Sequence, residues 1–165
     1  MFPRTGQSAS ASTGSPRLNL LLSCAAWRRD DPLDHLPPLL SPLGIQSLKA
    51  GSGEEAAEVI RNYTVHIAVV DLSIPLQRPT NAAAASQSAE AGPRVLQLLR
   101  RLESPPPTVV VRPPQPATRE SARSLTQALR DGAFAVVDQP VRLESMLEVL
   151  RRILRRHYAD GWPAG

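Results

Sequence analysis

Short apolar runs alternate with helical patterns along most of the chain. Five mostly apolar runs each predict a strand, and they span residues 18–24, 45–50, 66–71, 108–112 and 134–137. Runs that are apolar at nearly every position are typical of parallel strands that helices cover on both faces. The pattern therefore predicts an α/β protein.

The segments between these runs repeat apolar residues at helical spacing, which predicts a helix after each strand. Pro37 and Pro38 interrupt the first helix, which should be short or kinked. Ser52 and Glu55 form a capping box at the start of the second. The last helix is the clearest, because its apolar residues between positions 143 and 154 form one stripe. Five strand–helix units in succession predict a doubly wound, five-stranded parallel sheet with helices on both faces.

One folded domain is predicted at residues 17–156. Residues 1–16 are mostly Ser, Ala, Thr, Gly and Pro, which bury too little apolar surface to offset the entropy of ordering, so we expect a disordered tail. The segment Leu76–Ala91 is too long for an ordinary connection in such a sheet, and we expect a mobile insert there. Residues 157–165 are interpreted as a short C-terminal tail.

Composition excludes several classes of protein. Cys24 is the single cysteine, so it cannot form an internal disulfide. No apolar run approaches the roughly 20 residues that span a bilayer, and the N-terminus has no apolar segment of a secretory signal. We therefore expect a cytoplasmic protein with no membrane partner.

The net charge is +4, and Lys49 is the only lysine among the 19 basic residues. This excess of arginine, together with 17 prolines, is typical of a compositional bias and is weak support for nucleic-acid binding. Aromatic residues make up 4%, too few for a base-stacking platform. The arginines of the last helix are interpreted as a solvated face whose final turn complements the helix dipole. No nucleic-acid partner is predicted.

Four blocks of residues resemble the receiver domain of bacterial response regulators, which has the chemotaxis-regulator, flavodoxin-like fold with strand order 2-1-3-4-5. Residues 69–75 resemble its phosphoacceptor strand, with Asp71 and a proline four positions later. Gly92 resembles the glycine that opens the third helix. Residues 107–112 and 132–140 resemble its fourth and fifth strands. The resemblance covers residues 17–156.

The resemblance implies a phosphorylation pocket that has lost most of its chemistry. The family uses an acidic pair after the first strand, a Thr or Ser that ends the fourth, and a Lys after the fifth. This chain has Ser23 and Cys24, Arg112, and Gln139 at those positions. Because phosphoryl transfer needs metal and cation to neutralise the phosphoryl charge, we expect a degenerate receiver, or pseudo-receiver.

Asp71 remains the phosphoacceptor candidate in this pocket. Its predicted neighbours are Cys24, Ser73, Arg112 and Gln139, and Ser73 would turn its backbone carbonyl toward a metal. No cofactor is expected. Mg²⁺ is expected only in the alternative in which Asp71 is a working phosphoacceptor. Weak candidate metal ligands are then Asp30, Asp31 and Asp71.

Two side chains in the pocket have competing interpretations. Arg112 ends the strand beside that of Asp71, and a fixed ion pair between them is favoured over a role in which Arg112 replaces the family's lysine. Cys24 is interpreted as an inert buried thiol. The alternative, a phosphatase nucleophile, needs an arginine where Asp30 stands and a glycine-containing loop that residues 25–30 lack.

The resemblance implies a single-domain signalling protein of the two-component or phosphorelay type, without enzymatic activity, that acts by protein–protein contact. Its partner would be a histidine kinase, another regulator or a separate output protein, and a homodimer stays open. The implied partner surface carries Arg119, Arg123, Phe134 and Arg142.

Three alternatives remain. The first is a functional phosphoacceptor receiver that uses Asp71. The second is a flavodoxin-like ligand-binding or enzymatic domain that uses the crevice at the strand ends, lined by Cys24, Asp71, Arg112 and Asp138. The third is a basic nucleic-acid accessory protein, which a strongly salt-dependent affinity would reveal.

Overall fold

The computed structural model describes residues 18–24, 31–78, 90–113 and 119–158. Within them the chain forms one sheet of five parallel strands in the order β2-β1-β3-β4-β5, which confirms the predicted topology. The strands are β1 Leu18–Ser23, β2 Ile45–Ala50, β3 Ile67–Asp71, β4 Thr108–Arg112 and β5 Ala135–Asp138.

The helices among the described residues are α1 Leu36–Leu40, α2 Gly53–Asn62, α3 Gly92–Arg100, α4 Arg119–Arg130 and α5 Leu143–His157. α1 has only five residues and lies between 3-10 turns at Pro32–His35 and Ser41–Leu43. Pro42 follows α1 and has no N–H with which to continue it. Ser52 caps α2 as predicted, because its side chain accepts a hydrogen bond from the Glu55 N–H at 3.1 Å. None of these helices is both long and apolar enough to cross a membrane.

Side chains that alternate along the strands divide the core into two layers. In β1, Leu20 and Leu22 face α1 and α5, whereas Leu21 faces α2 and α3. Val69 and Val70 of β3 divide in the same way. The strand sequences are apolar on both faces because helices cover both.

Both ends of the predicted mobile insert, Leu76–Ala91, are anchored to the domain. The Leu76 carbonyl accepts a hydrogen bond from the Glu54 N–H at 3.0 Å, and Arg78 forms an ion pair with Glu55 at 2.7 Å. Ala91 is buried and its N–H donates to the Ile74 carbonyl at 2.7 Å.

Several predictions concern residues outside the described ranges. These are the disordered tail at 1–16, the middle of the insert at 79–89, and the final residues 159–165. Asp30 also lies outside the described residues. Those predictions stay predictions.

Candidate functional site

The fold buries the Asp71 carboxylate at the carboxyl end of β3, in the middle of the sheet. Asp71 is only 1% exposed. Oδ1 accepts hydrogen bonds from the Ser73 N–H at 2.9 Å and from the Ser73 hydroxyl at 2.7 Å. An aspartate that accepts from the N–H two residues later is a common way to begin a turn, so the sequence Asp-Leu-Ser itself holds this carboxylate.

Gln139 approaches the second carboxylate oxygen from the end of β5. Its Nε2 donates to Asp71 Oδ2 at 3.4 Å, a long contact. The backbone fixes this approach, because the Gln139 N–H donates to the Arg112 carbonyl at 2.9 Å and extends the pairing of β4 with β5. The structure thus brings Ser73 and Gln139, two of the predicted neighbours, to Asp71.

Arg112 is buried at the end of β4, with 4% of its side chain exposed, and forms an ion pair with Asp138. Its Nε donates to Asp138 Oδ1 at 2.7 Å. Arg112 and Asp138 are partners in the parallel register of β4 and β5, which puts both on the same side of the sheet. The predicted ion pair between Arg112 and Asp71 stays a prediction, and Asp138 is a partner of Arg112 that the sequence analysis did not propose.

Cys24 follows β1, where its N–H donates to the Ala50 carbonyl at 3.1 Å. Burial, followed by the negative charges of Asp31, Asp71 and Asp34, raises the pKa of the Cys24 thiol to about 12. A thiol with this pKa is protonated at neutral pH and is a poor nucleophile. The arrangement supports the inert thiol over the phosphatase nucleophile.

A cavity of about 160 Å³ opens beside Cys24, at the carboxyl ends of β1 and β2. Asp31, Asp34 and Lys49 line it, and Lys49 Nζ lies 3.3 Å from Asp34 Oδ1. Asp31 uses its Oδ1 to accept a hydrogen bond from the Leu33 N–H at 2.9 Å, at the start of the 3-10 turn. The sequence left open whether Asp31 returns toward the pocket, and the structure places it near Cys24.

The two residues at the carboxyl end of β1, Ser23 and Cys24, supply no carboxylate. Ser23 is fully buried, and its hydroxyl has no hydrogen-bond partner among the described residues. Within the described ranges, no three His, Cys, Asp or Glu side chains cluster closely enough to hold a metal ion. Mg²⁺ prefers oxygen ligands that include carboxylates. A serine hydroxyl and a protonated thiol do not fit it.

The implied partner surface is only partly exposed. Arg119 and Arg123 of α4 and Arg142, which precedes α5, are exposed, whereas Phe134 is half-buried. The Phe134 ring packs edge-on against His157, with ring centroids 5.6 Å apart. Phe134 therefore contributes less area to this surface than the sequence suggested.

Sequence reasoning missed a second polar cluster, at the amino ends of the strands. The Tyr158 hydroxyl donates to the His66 carbonyl at 2.6 Å, and the Asn19 N–H donates to His66 Nδ1 at 2.9 Å. Burial lowers the pKa of His66. No local sequence pattern predicts these contacts, because they join residues of β1, β3 and the end of α5 that are far apart in the sequence.

Solved structures of receiver domains share the fold of this structure. A signal receiver domain from Vibrio parahaemolyticus matches with a TM-score of 0.63 at 14% identity, over 87% of this chain and 95% of its own. A CheY-like response regulator receiver domain protein from Methanospirillum hungatei matches with 0.61 at 20% identity, over 89% and 100%. A two-component response regulator from Clostridium difficile matches with 0.59 at 18% identity, over 85% and 98%.

No protein-family model matches the sequence, and no curated protein matches it. At these low identities the structural matches establish the fold. That fold confirms the resemblance read from Asp71, Gly92 and the blocks around the fourth and fifth strands. The chain has the fold of response-regulator receiver domains.

Proposed function

We propose that this protein is a receiver-like signalling module of the two-component type that acts by protein–protein contact and not through phosphoryl transfer. The observation that carries this proposal is the set of contacts at Asp71. In this structure the Asp71 carboxylate at the end of β3 accepts hydrogen bonds from Ser73 and Gln139. Arg112 and Asp138 form an ion pair between the ends of β4 and β5.

The charges in the pocket argue against phosphoryl transfer. A carboxylate can attack a phosphoryl group only when metal and cation neutralise the charge of the transferred oxygens. Gln139 is neutral where the receiver family has a lysine, and Cys24 is a protonated thiol where it has an acid. We therefore propose that the pocket holds no Mg²⁺ and has no catalytic role.

The same contacts give the pocket a fixed arrangement. Asp71 Oδ1 accepts hydrogen bonds from Ser73, and Oδ2 accepts one from Gln139. Arg112 is a permanent charge whose buried guanidinium is paired with Asp138. Side chains that pair with one another in this way can hold β4 and β5 in one state without a ligand.

The partner surface in this proposal includes Arg119, Arg123 and Arg142, with Phe134 at its border. Three exposed arginines favour an acidic partner, because like charges across an interface repel. A histidine kinase, another regulator or an output protein could present such a surface, and a second copy of this chain is a further candidate.

The test is a pull-down from an extract of the native cells with wild type, Asp71→Ala and the double variant Arg119→Glu, Arg123→Glu. We expect wild type and Asp71→Ala to capture the same protein in similar amounts, and the double variant to lose it. The matched control is Arg94→Glu, Arg101→Glu, which reverses two exposed charges elsewhere and should keep the partner. Loss of the partner in Asp71→Ala would contradict a function independent of this carboxylate.

The burial of Asp71 at the end of β3 favours one second candidate, a working phosphoacceptor. In that case Asp31, the carboxylate that the structure places near Cys24, is the first suspect for an additional ligand. Incorporation of a phosphoryl group that depends on Asp71 would establish this candidate.

A further inference from the structure

The last two turns of α5 carry four exposed arginines. They are Arg151, Arg152, Arg155 and Arg156, and we refer to them as the basic face. Within the described part of the chain, no carboxylate forms an ion pair with any of the four, including Glu148 one turn earlier. The basic face therefore presents four charges that the described residues leave uncompensated.

The apolar residues of α5 pack against the core, and Leu147 and Leu154 are half-buried there. Met146, Leu150 and Ile153 form its apolar stripe, and they are at most 2% exposed because they pack against the sheet. An amphipathic helix binds a membrane by burying its apolar face in the lipid, and this face is already occupied. The basic face therefore does not fit insertion into a bilayer.

The chemistry of the basic face also differs from that of a protein interface. Protein interfaces usually have an apolar or aromatic centre inside a polar rim. The exposed residues of these two turns are arginines, followed by His157. Nucleic-acid interfaces are more polar and much more positively charged, so the basic face is closer to that class.

The spacing of the arginines suits a phosphate backbone. Arg151 and Arg152 lie one helical turn before Arg155 and Arg156, about 6 Å along the axis. Phosphates two apart on one strand of B-DNA are separated by about 7 Å along its axis. Two pairs of guanidinium groups at this spacing can contact phosphates without any base being read.

We propose that the basic face of α5 binds the phosphate backbone of double-stranded DNA without sequence preference. This revises the prediction, made from sequence, that the arginines are a solvated face. Among the described residues none forms an ion pair with these arginines, and the apolar stripe of α5 packs against the sheet. DNA is the partner to which we commit because the axial spacing of the two arginine pairs is close to that of phosphates in B-form DNA, and the experiment measures duplex RNA separately.

The experiment measures fluorescence anisotropy of a labelled DNA duplex of arbitrary sequence, titrated with the full chain at several salt concentrations. The test variant is Arg151→Gln, Arg152→Gln, Arg155→Gln. The matched control is Arg61→Gln, Arg94→Gln, Arg101→Gln, which removes the same charge from exposed positions on α2 and at the two ends of α3. Thermal unfolding of each variant checks that it is folded.

We expect wild type to bind with a slope of log affinity against log salt of about −3 to −4, since each neutralised phosphate contributes about −0.9. The test variant should lose at least about tenfold in affinity at low salt, with a slope shallower by about 2.7. The control variant and Arg151→Lys, Arg152→Lys, Arg155→Lys should stay within a few-fold of wild type.

Three results would overturn the proposal. The first is no binding of wild type to duplex DNA at low salt. The second is an equal loss in the control variant, which would assign the affinity to net charge alone. The third is tighter binding of the basic face to a duplex RNA or to anionic lipid vesicles, measured with the same variants, than to DNA.

Discussion

The centre of the sheet and its β5 edge are packed very differently. Every residue of β3 and β4 is buried, whereas Ala135, Val136 and Val137 of β5 are half-buried and Asp138 is exposed. The helices beside these two regions differ in burial in the same way. Leu99 of α3 is 1% exposed, whereas Leu129 of α4 is 47% exposed.

The sequence of α4 explains the difference. Arg119–Arg130 contains few apolar residues, and an edge strand has a neighbour on one side only. A cavity of about 370 Å³ remains between α3 and α4, lined by Leu96, Leu99, Pro106, Ala128 and Ala133 among others. We infer that the centre carries the stability of the fold. The edge, which carries part of the proposed partner surface, contributes little.

The largest effect should come from truncating matched leucines on the two helices. Leu99→Ala removes a fully buried side chain and should lower the free energy of unfolding by about 2 to 4 kcal/mol. Leu129→Ala removes a side chain that is already half in water and should cost less than about 1 kcal/mol. Urea denaturation measures both, and equal losses would refute the division into centre and edge.

Matched glycines give the next comparison. A Cβ at Gly92 would overlap the backbone of Leu72, so Gly92→Ala must displace main chain between β3 and α3, at a cost of about 2 to 3 kcal/mol. Gly132, between α4 and β5, has open space around it and a φ of 100°. Gly132→Ala should therefore cost only the backbone strain, about 1 to 2 kcal/mol. A larger loss at Gly132, measured in the same way, would show that the edge is packed more tightly than the structure indicates.

Val110 and Val136 sharpen the comparison further, because they are register partners on β4 and β5. Val110 is fully buried and Val136 is half-buried. The same substitution to alanine should lower the free energy of unfolding by about 2 kcal/mol at Val110 and by about 1 kcal/mol at Val136. Equal melting temperatures of the two variants would show that the difference in exposure between Val110 and Val136 does not affect stability.

The smallest effect concerns pH and tests the amino end of the central strands. Because folding lowers the pKa of His66 below its ordinary value, the unfolded chain binds a proton more readily than the folded one. His66 thus contributes stability above its ordinary pKa of about 6.5, and the contribution falls as pH drops toward the folded pKa. Protonation of Nδ1 also removes the acceptor for the Asn19 N–H.

Thermal unfolding of wild type and His66→Gln between pH 7.5 and pH 5 measures this contribution. The melting temperature of wild type should fall more steeply below about pH 6.5 than that of the variant. Parallel curves would assign the pH dependence to groups other than His66.

The sequence predicted the strands well because buried parallel strands leave a strong local signal. The bounds of β2 and β4 are as predicted, β1 ends one residue earlier, at Ser23, and β3 begins one residue later, at Ile67. β5 is shifted by one residue, to Ala135–Asp138, since Phe134 continues the apolar run without joining the ladder. β5 is the shortest strand, with four half-buried or exposed residues, so its apolar pattern sets its limits less sharply.

The site could be predicted only in part. Asp71 and its hydrogen bonds to Ser73 are local and follow from three consecutive residues. The pairing of Arg112 with Asp138 depends on the register between two strands, which the apolar pattern does not encode. The position of Asp31 near Cys24 depends on the chain between them, for which the sequence gives no periodicity.

The central claim is that Asp71 lies in a pocket that does not accept a phosphoryl group. It is tested most directly by intact-mass spectrometry of wild type and Asp71→Asn after treatment with acetyl phosphate and Mg²⁺. We predict no gain in mass in either protein. A gain of one phosphoryl group in wild type that is absent in Asp71→Asn would contradict it and establish a working phosphoacceptor.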